Sequence, residues 1–487
     1  MEILGLEVPL WVSLTTIILS LLYWYGTSTF NTFKKMGVPY QPAYIPFVGH
    51  MIELMTTSMS DHQEKYAKKF PGKVYGMFQG RTPVLKVADA EPVVEEDSIS
   101  DNSIVSTTSD HWKHVRTILA PTFTSGKLKQ MYPVIQRCSQ RFVKHLKSTE
   151  GAPIAIKDYA SGYTMDVIAS TAFGMDLDVQ ETTDHEFIYH AKKFFGLPTD
   201  DRIITRIKSF FNILSSFLLS KAIRNFLGLF VDMSFSGLET LNYLEGLAHA
   251  VLDQNKDQIE RKNLDYSRFN QKGCDANAAI FISAGYETTA STLQFFFYLM
   301  AVHPDIQNKL YSSILEVADE KGECSYEELK KLEYLDWCID ETMRIFPIGT
   351  RLERVASRDI TIKGVKIPKG MTINMSIYNM HRDSDYWTDP NTFNPDRFAP
   401  ENQTDIQQYA FIPFGSGGRK CIASRLALLE MKVVIIKSLT EFRYEACADT
   451  PKLRELTFQD LAIGLLTPAS PTCFCRTKRI RIICRLL

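Results

Sequence analysis

Residues 414–421 read FGSGGRKC. Three glycines, Gly415, Gly417 and Gly418, and two cations, Arg419 and Lys420, lead straight into Cys421. A run with helical spacing follows, SRLALLEMKVVIIKSL. A helix N-terminus offers unused backbone N–H groups and positive potential, and bare glycines let such groups approach a sulfur. That setting suits a thiolate ligand, which needs a lowered pKa. No CxxC or HxxC partner lies nearby, so the pattern is not that of structural zinc. Iron in a porphyrin, with four positions already filled, fits a lone thiolate. On spacing alone, an inert cysteine buried at a helix start fits equally well.

Three more constellations are weaker. Ala284-Gly285-Tyr286-Glu287-Thr288-Thr289 sits inside the apolar helix pattern AAIFISAGYETTASTLQFFFYLM. A mid-helix glycine costs about 1 kcal/mol relative to alanine, and acid and hydroxyl groups buried without partners are costly. Together they suggest a locally opened turn holding a small polar ligand, with Glu287 and Thr288 relaying protons. A solvent-facing patch on an amphipathic helix is the plainer alternative. Trp112 and Arg116, four apart in DHWKHVRTIL, place an indole N–H and a guanidinium on one face, as a carboxylate or propionate would need. A core tryptophan beside a surface arginine is the plainer reading of this pair taken alone. Glu341 and Arg344, three apart, can pair on a helix face, a spacing that also arises by chance.

The elements that must position these groups follow from periodicity. Asp110–Leu119, Met131–Leu146, Ala278–Val302 and Tyr326–Ile345 show three- and four-residue apolar spacing. VYGMFQG and PVLKVAD near 74–89, and DITIKGVKIPKGMTINMS at 359–376, read as strands, with turns at Gly364 and Gly370. Residues 381–413 read as irregular. The fold class is mainly α with small β-sheets (α+β). The chain of 487 residues is 45% hydrophobic with a net charge of −1, which gives no pull toward nucleic acid. Nine scattered cysteines without a framework indicate reduced thiols and a cytosol-facing domain. No charge occurs from Val8 to Phe33, and Val8–Tyr25 is almost wholly apolar. About 18–20 helical residues cross a hydrocarbon core of roughly 30 Å. Glu2 and Glu7 before the segment, and Lys34 and Lys35 after it, argue against a cleaved signal peptide and place the C-terminal flank in the cytosol. A buried core helix is the alternative. The division expected is an anchor at 1–33, a stiff Pro/Gly linker at 34–50 and a catalytic domain at 51–487.

In this order, Trp112…Arg116, AGYETT, Glu341…Arg344, Pro395-Asp396-Arg397-Phe398 and FGSGGRKC resemble the cytochrome P-450 superfamily of haem-thiolate monooxygenases. The resemblance covers nearly the whole chain. KLKQMYP, SGYTMDVIASTAFG and RLERV look most like the animal family-three, subfamily A members that oxidise steroids and drugs. It implies the P-450 fold with an N-terminal transmembrane helix. Carried over, Cys421 is the axial ligand of haem b (iron protoporphyrin IX), shielded by Phe414. Arg419, Trp112, Arg116 and Arg354 are implied to hold the propionates. Thr288 is implied to steady dioxygen, with Glu287 in the proton path and Ala284–Gly285 opening the helix. Glu341, Arg344 and Arg397 form a structural salt-bridge cluster. The implied partners are O2, a lipophilic substrate, the lipid bilayer and NADPH-cytochrome reductase, with cytochrome b-five as a second donor. The implied location is the endoplasmic reticulum membrane.

The chain departs from the pattern in places. Ala423 stands where the family usually has Gly, and Gly418 where Pro is common. Segments 92–112 and 261–279 are shorter than in relatives. SPTCFCRTKRIRIICRLL, with Cys473, Cys475 and Cys484, does not resemble the family ending and is expected to be a solvated tail. The aromatic runs Phe194–Phe195 and Phe210–Phe211, with Phe217, suggest either a pocket roof or plain helix packing. Against a monooxygenase stand a thromboxane-synthase-type isomerase, a haem-binding pseudo-enzyme with shortened substrate loops, and a tethered protein without haem.

Overall fold

The computed structural model describes residues 2–3, 6–7, 10–89 except 58, 109–180 except 177, a few positions between 186 and 246, 271–452 except 320, 403–405 and 408, and 458–460, 466–468 and 474–479. The elements used below, in chain order, are α1 (Leu10–Thr27), α2 (Met59–Lys69), β1 (Val74–Gln79), β2 (Thr82–Val87), α3 (Ser109–Leu119), α4 (Ser125–Lys147), β3 (Pro153–Ala155), α5 (Ile156–Ala172), α6 (Gln271–Val302), α7 (Pro304–Leu315), α8 (Glu333–Ile345), β4 (Arg351–Val355), β5 (Thr372–Ser376), α9 (Ser424–Glu441), β6 (Phe442–Ala446) and β7 (Phe474–Arg479). This is the mainly helical fold with small sheets that the periodicity predicts. Two differences concern boundaries. The pattern at Tyr326–Ile345 is split: Glu328–Lys331 is a 3₁₀ turn and α8 begins only at Glu333. Helix α4 starts six residues earlier than its clearest apolar spacing.

The described residues fall into two compact units. The first gathers those up to 89 with Arg351–Ser376. Its sheet runs β1-β2-β5-β4, with β2 and β5 parallel and the other pairs antiparallel. Phe33, Phe78, Leu85, Val87 and Ile373 form its apolar core at no measurable exposure. Gly364 and Gly370 take φ of 76° and 83°, the turns expected before β5. Helix α1 turns Leu10, Trp11, Ile17, Ile18, Leu19 and Trp24 outward. Its 18 residues are long and apolar enough to cross a membrane. The 34–50 stretch, expected as a spacer, instead folds onto the sheet. Gln41 N–H donates to the Gly76 carbonyl at 3.0 Å and His50 N–H to the Phe78 carbonyl at 2.9 Å. Backbone groups beside a sheet edge pair with it because unpaired ones are costly.

The second unit is built round α6. Phe295, Phe296, Phe297, Tyr298 and Leu299 are all buried, as expected of a helix apolar on every side. Phe295 stacks on Phe346 at 4.2 Å and Phe297 on Tyr444 at 4.4 Å. Burying each such ring contributes about 1.5–3 kcal/mol. A second sheet has the order β6-β7-β3, antiparallel throughout. The ending expected as a solvated tail therefore supplies, at Phe474–Arg479, the middle strand. Basic residues in the strand hid this, because Arg476 and Lys478 read as a charged tail, while Arg476 pairs on both sides and Lys478 pairs with Arg443 of β6. The runs at 194–195, 210–211 and 217, Cys473 and Cys484, and most of the two shortened segments lie outside the described residues.

Candidate active site

Cys421 follows a turn in which Gly415 and Gly417 take φ of 74° and 73°. A side chain would be strained there, although an added Cβ at Gly417 meets nothing within 4 Å. The turn is closed by Cys421 N–H donating to the Phe414 carbonyl at 2.9 Å and Lys420 N–H to the Gly417 carbonyl at 3.1 Å. Helix α9 then begins at Ser424 with Ala423 as its cap, and no side chain caps it. The cap's work falls to the sulfur, which accepts from the backbone N–H groups of Ala423 and Ser424. The donors thus come from the helix side of the cysteine, not from the glycines.

The thiol is exposed, yet burial is the largest influence on its pKa and pushes it up. Exposure on one side with crowding on the others describes the wall of a concavity. The two N–H donors, Arg116 and Lys420 all pull the pKa down without winning. In the metal-free protein, desolvation outweighs the helix start. A coordinating metal deprotonates a thiol outright. Among the described residues no group of three or more His, Cys, Asp or Glu gathers as a metal site.

Helix α3 lies against this turn. Arg116 Nη2 donates to the Lys420 carbonyl at 2.9 Å. The guanidiniums of Arg116 and Arg419 lie 5.4 and 4.5 Å from the Trp112 ring. Burial and the nearby Arg419 charge both lower the Arg116 pKa, while Cys421 raises it. Two like charges and an indole N–H beside one turn form a donor set that suits an anion with several oxygens. A single thiolate with backbone donors, next to cations able to hold propionates, fits a haem. Arg354 is on β4 in the first unit, its Nη1 donating to the Glu353 carbonyl at 2.8 Å.

Helix α6 is buried almost throughout its second half, but Ala284 is exposed and Phe281, Gly285 and Thr288 are partly so. That stripe is the accessible wall of the helix. The expected opened turn is not present: α6 is continuous from Gln271 to Val302, and Thr288 Oγ1 donates to the Ala284 carbonyl at 2.5 Å. Gly285 has a different reason to be glycine. A Cβ there would lie 2.8 Å from Ile168 Cδ1 of α5, so the residue permits close helix packing.

Glu287 faces α5 as well. Its Oε1 accepts from Lys157 Nζ at 2.7 Å and from Ser291 Oγ at 3.1 Å, at 1% exposure. Lys157 was invisible to sequence reasoning because it is remote in the chain. Glu430 was also missed, although an acid inside LALLEMK was a signal. It is 4% exposed on α9, and burial pushes its carboxyl up to about 8 despite a hydrogen bond to Thr289. This contact ties the ligand helix to the helix bearing Thr288.

The last cluster is firm. Arg344 and Glu341 have no exposure. Arg344 Nε and Nη2 reach the two Glu341 oxygens at 2.7 and 2.8 Å. Arg397 Nε adds a longer contact to Glu341 at 3.3 Å. The irregular 381–413 stretch supplies acceptors for Arg344, the carbonyls of His381 and Pro390, both at 2.8 Å. These three residues come together as the sequence suggested.

A family model described as Cytochrome P450 matches residues 39–476. Curated relatives agree in length as well as sequence. Cytochrome P450 3A11 of Mus musculus is 36% identical, with 96% of each chain covered. Cytochrome P450 3A5 of Homo sapiens is 35% identical, again over 96% of each. Lithocholate 6-beta-hydroxylase of Mesocricetus auratus is 34% identical, covering 92% of this chain and 93% of its own.

Proposed function

Because the chain belongs to the cytochrome P450 family, and so to an oxidoreductase class of monooxygenases, we propose that it is a membrane-bound enzyme inserting one atom of O2 into lipophilic substrates such as steroids, xenobiotics and fatty compounds. The observation that supports this most directly is the Cys421 turn, with backbone donors at the sulfur and cations at its side. Haem b, when bound, would supply the oxygen activation itself. In this reading Cys421 would hold it through its sulfur, Phe414 would shield that sulfur, and Trp112, Arg116 and Arg419 would hold the propionates. The family resemblance adds Arg354 to that set. The accessible stripe with Ala284, Gly285 and Thr288 receives dioxygen and substrate. Thr288 holds a proton on its hydroxyl, and the Glu287–Lys157–Ser291 group lies one residue away as a proton source. Electrons come from NADPH by way of NADPH-cytochrome reductase, with cytochrome b-five as a second donor. Helix α1 anchors the chain in the endoplasmic reticulum membrane, with the catalytic part facing the cytosol. The relative named for lithocholate hydroxylation directs the first substrate panel toward steroids.

The test is a reduced, carbon-monoxide-bound difference spectrum of wild type beside Cys421→Ser, followed by turnover with reductase, NADPH and a steroid panel. A thiolate-type band present in wild type and lost in the variant is expected, with oxidised product that requires NADPH. A wild type without that band overturns the proposal, and activity that persists without NADPH replaces it with an isomerase.

A further inference from the structure

The foot of α1 is fastened to the first unit. Phe47 N–H donates to the Gly26 carbonyl at 3.3 Å, and the Phe47 ring lies 6.0 Å from that of Tyr25. Gly26 is buried. A Cβ there would fall 2.7 Å from Pro46 Cβ and 2.8 Å from Phe47 Cε2, so glycine lets this loop close on the helix. From the turn between β1 and β2, Arg81 sets its guanidinium 3.6 Å from the centre of the Tyr25 ring and donates from Nη2 to Ser28 Oγ at 3.1 Å. Its carbonyl accepts from Thr29 Oγ1 at 2.5 Å. Phe30 and Phe33, just beyond, are buried in the core of the unit. These contacts make a joint, where a flexible tether would have none.

An apolar patch lies beside that joint. Outside α1, six large apolar side chains are exposed among the described residues, and three of them, Tyr44, Ile45 and Ile52, fall within nine residues of chain. Their exposures are 77%, 49% and 46%. Hydrogen bonds hold this stretch in one compact loop. Gly49 N–H donates to the Ile45 carbonyl and Met51 N–H to the Val48 carbonyl, both at 3.1 Å, and His50 Nε2 donates to the Pro42 carbonyl at 3.1 Å. Single exposed apolar residues are ordinary on a surface, whereas a cluster marks a face that something covers. Depth says what covers this one. At about 1.5 Å per residue, the 18 residues of α1 span roughly 27 Å, close to the roughly 30 Å of a hydrocarbon core. With α1 across a bilayer, Gly26 lies at the near edge of that core, and the loop touching Gly26 lies at the level of the headgroups. Trp24 and Tyr25 on the last turn, and exposed Lys34 and Lys35 beyond it, suit the same level.

We propose that Tyr44, Ile45 and Ile52 form a shelf that seats in the interfacial layer of a phospholipid bilayer, held at that depth by the joint at Gly26. The shelf rests on the reading that α1 crosses the same bilayer, and it is independent of the haem reading. A lipid surface is the occupant because the patch is continuous with the anchor. Its residues also match an interface, a tyrosine whose ring is apolar and whose hydroxyl is wet, beside two aliphatic chains. Anchor and shelf give two points of attachment, which fix the tilt of the first unit on the membrane as a single swivelling helix would not.

Photo-crosslinking of the full chain in phosphatidylcholine nanodiscs tests it. The photoreactive residue p-benzoylphenylalanine replaces Tyr44, Ile45 or, as the control within α1, Ile18. Lipid adducts, read by mass spectrometry, are expected at all three positions. An adduct at position 18 alone overturns the shelf and leaves the anchor standing; no adduct at any position removes the anchor and the shelf with it. Adducts from positions 44 and 45 to protein instead of lipid show that another chain covers the patch, and overturn the proposal too. Gly26→Leu should cut the lipid adduct at position 44 several-fold and leave that at position 18 unchanged, because the added side chain drives Pro46 and Phe47 off the helix. Arg81→Met should act in the same direction more weakly, and serves if the first variant fails to fold. An unchanged yield at position 44 in both variants overturns the proposal.

Discussion

Replacing Arg344 with methionine tests the energetics of the cluster behind the proposed haem site. The guanidinium makes two contacts to Glu341 and two close contacts to main-chain carbonyls, and both the Arg344 and Glu341 side chains have no solvent exposure. Removing one partner of a buried pair costs about 3–5 kcal/mol, because the other charge stays behind unpaired. Here Glu341 keeps Arg397 at 3.3 Å and the Asn394 N–H at 2.9 Å, which argues for the lower end, about 3 kcal/mol. That is a large part of the 5–15 kcal/mol typical of a folded protein. Arg397→Met should cost less, about 1–2 kcal/mol, because Arg397 touches Glu341 only at the longer distance and is partly exposed. Urea denaturation followed by tryptophan fluorescence gives the ranking. The double variant Glu341→Gln/Arg344→Met should lose clearly less than the sum of the two single losses. A loss below about 1 kcal/mol for Arg344→Met, or strictly additive losses, would refute the reasoning.

Three other outcomes are expected. Lys157→Met leaves the Glu287 carboxylate buried with only Ser291, and should cost about 3 kcal/mol in the same assay, much of it recovered on adding Glu287→Gln. The Glu430 carboxyl is raised by burial from 4.5 to about 8, so the native state holds a proton that the unfolded chain releases, and stability from this group falls as pH rises through that window. Glu430→Gln should therefore gain stability relative to wild type between those pH values, and parallel pH curves for the two proteins would contradict the burial argument. Deleting residues 1–27 should move the protein from the alkali-resistant membrane pellet to the supernatant; retention in the pellet would show that α1 is not what holds it there.

The sequence was most informative where one residue type has few uses. A cysteine behind positive-φ glycines, and a long uncharged apolar run, pointed to their settings directly. Pairings between distant segments were not legible. Nothing near Glu287 indicates Lys157, and nothing near Arg344 shows that the carbonyls of His381 and Pro390 will close round it. Local rules also misled where a second force intervened. Gly285 read as a helix opening because glycine costs helix stability, but the close approach of α5 explains it. The basic ending read as a tail because side-chain charge conceals backbone pairing.

That ending sets the order of biosynthesis. The middle strand of the β6-β7-β3 sheet is the last of the three to leave the ribosome, while β3 is made when most of the chain is still unwritten. Until β7 arrives, β3 and β6 have no neighbour in common, and their open edges are templates for any other extended chain. The helices round α6 collapse earlier through contacts closer in sequence, and closing the sheet is left to a final long-range step. A nonsense change just before Phe474 removes no residue of the Cys421 turn. It nevertheless strands two bare edges on the nascent chain, so such an allele would fail in quality control before its chemistry was ever tried.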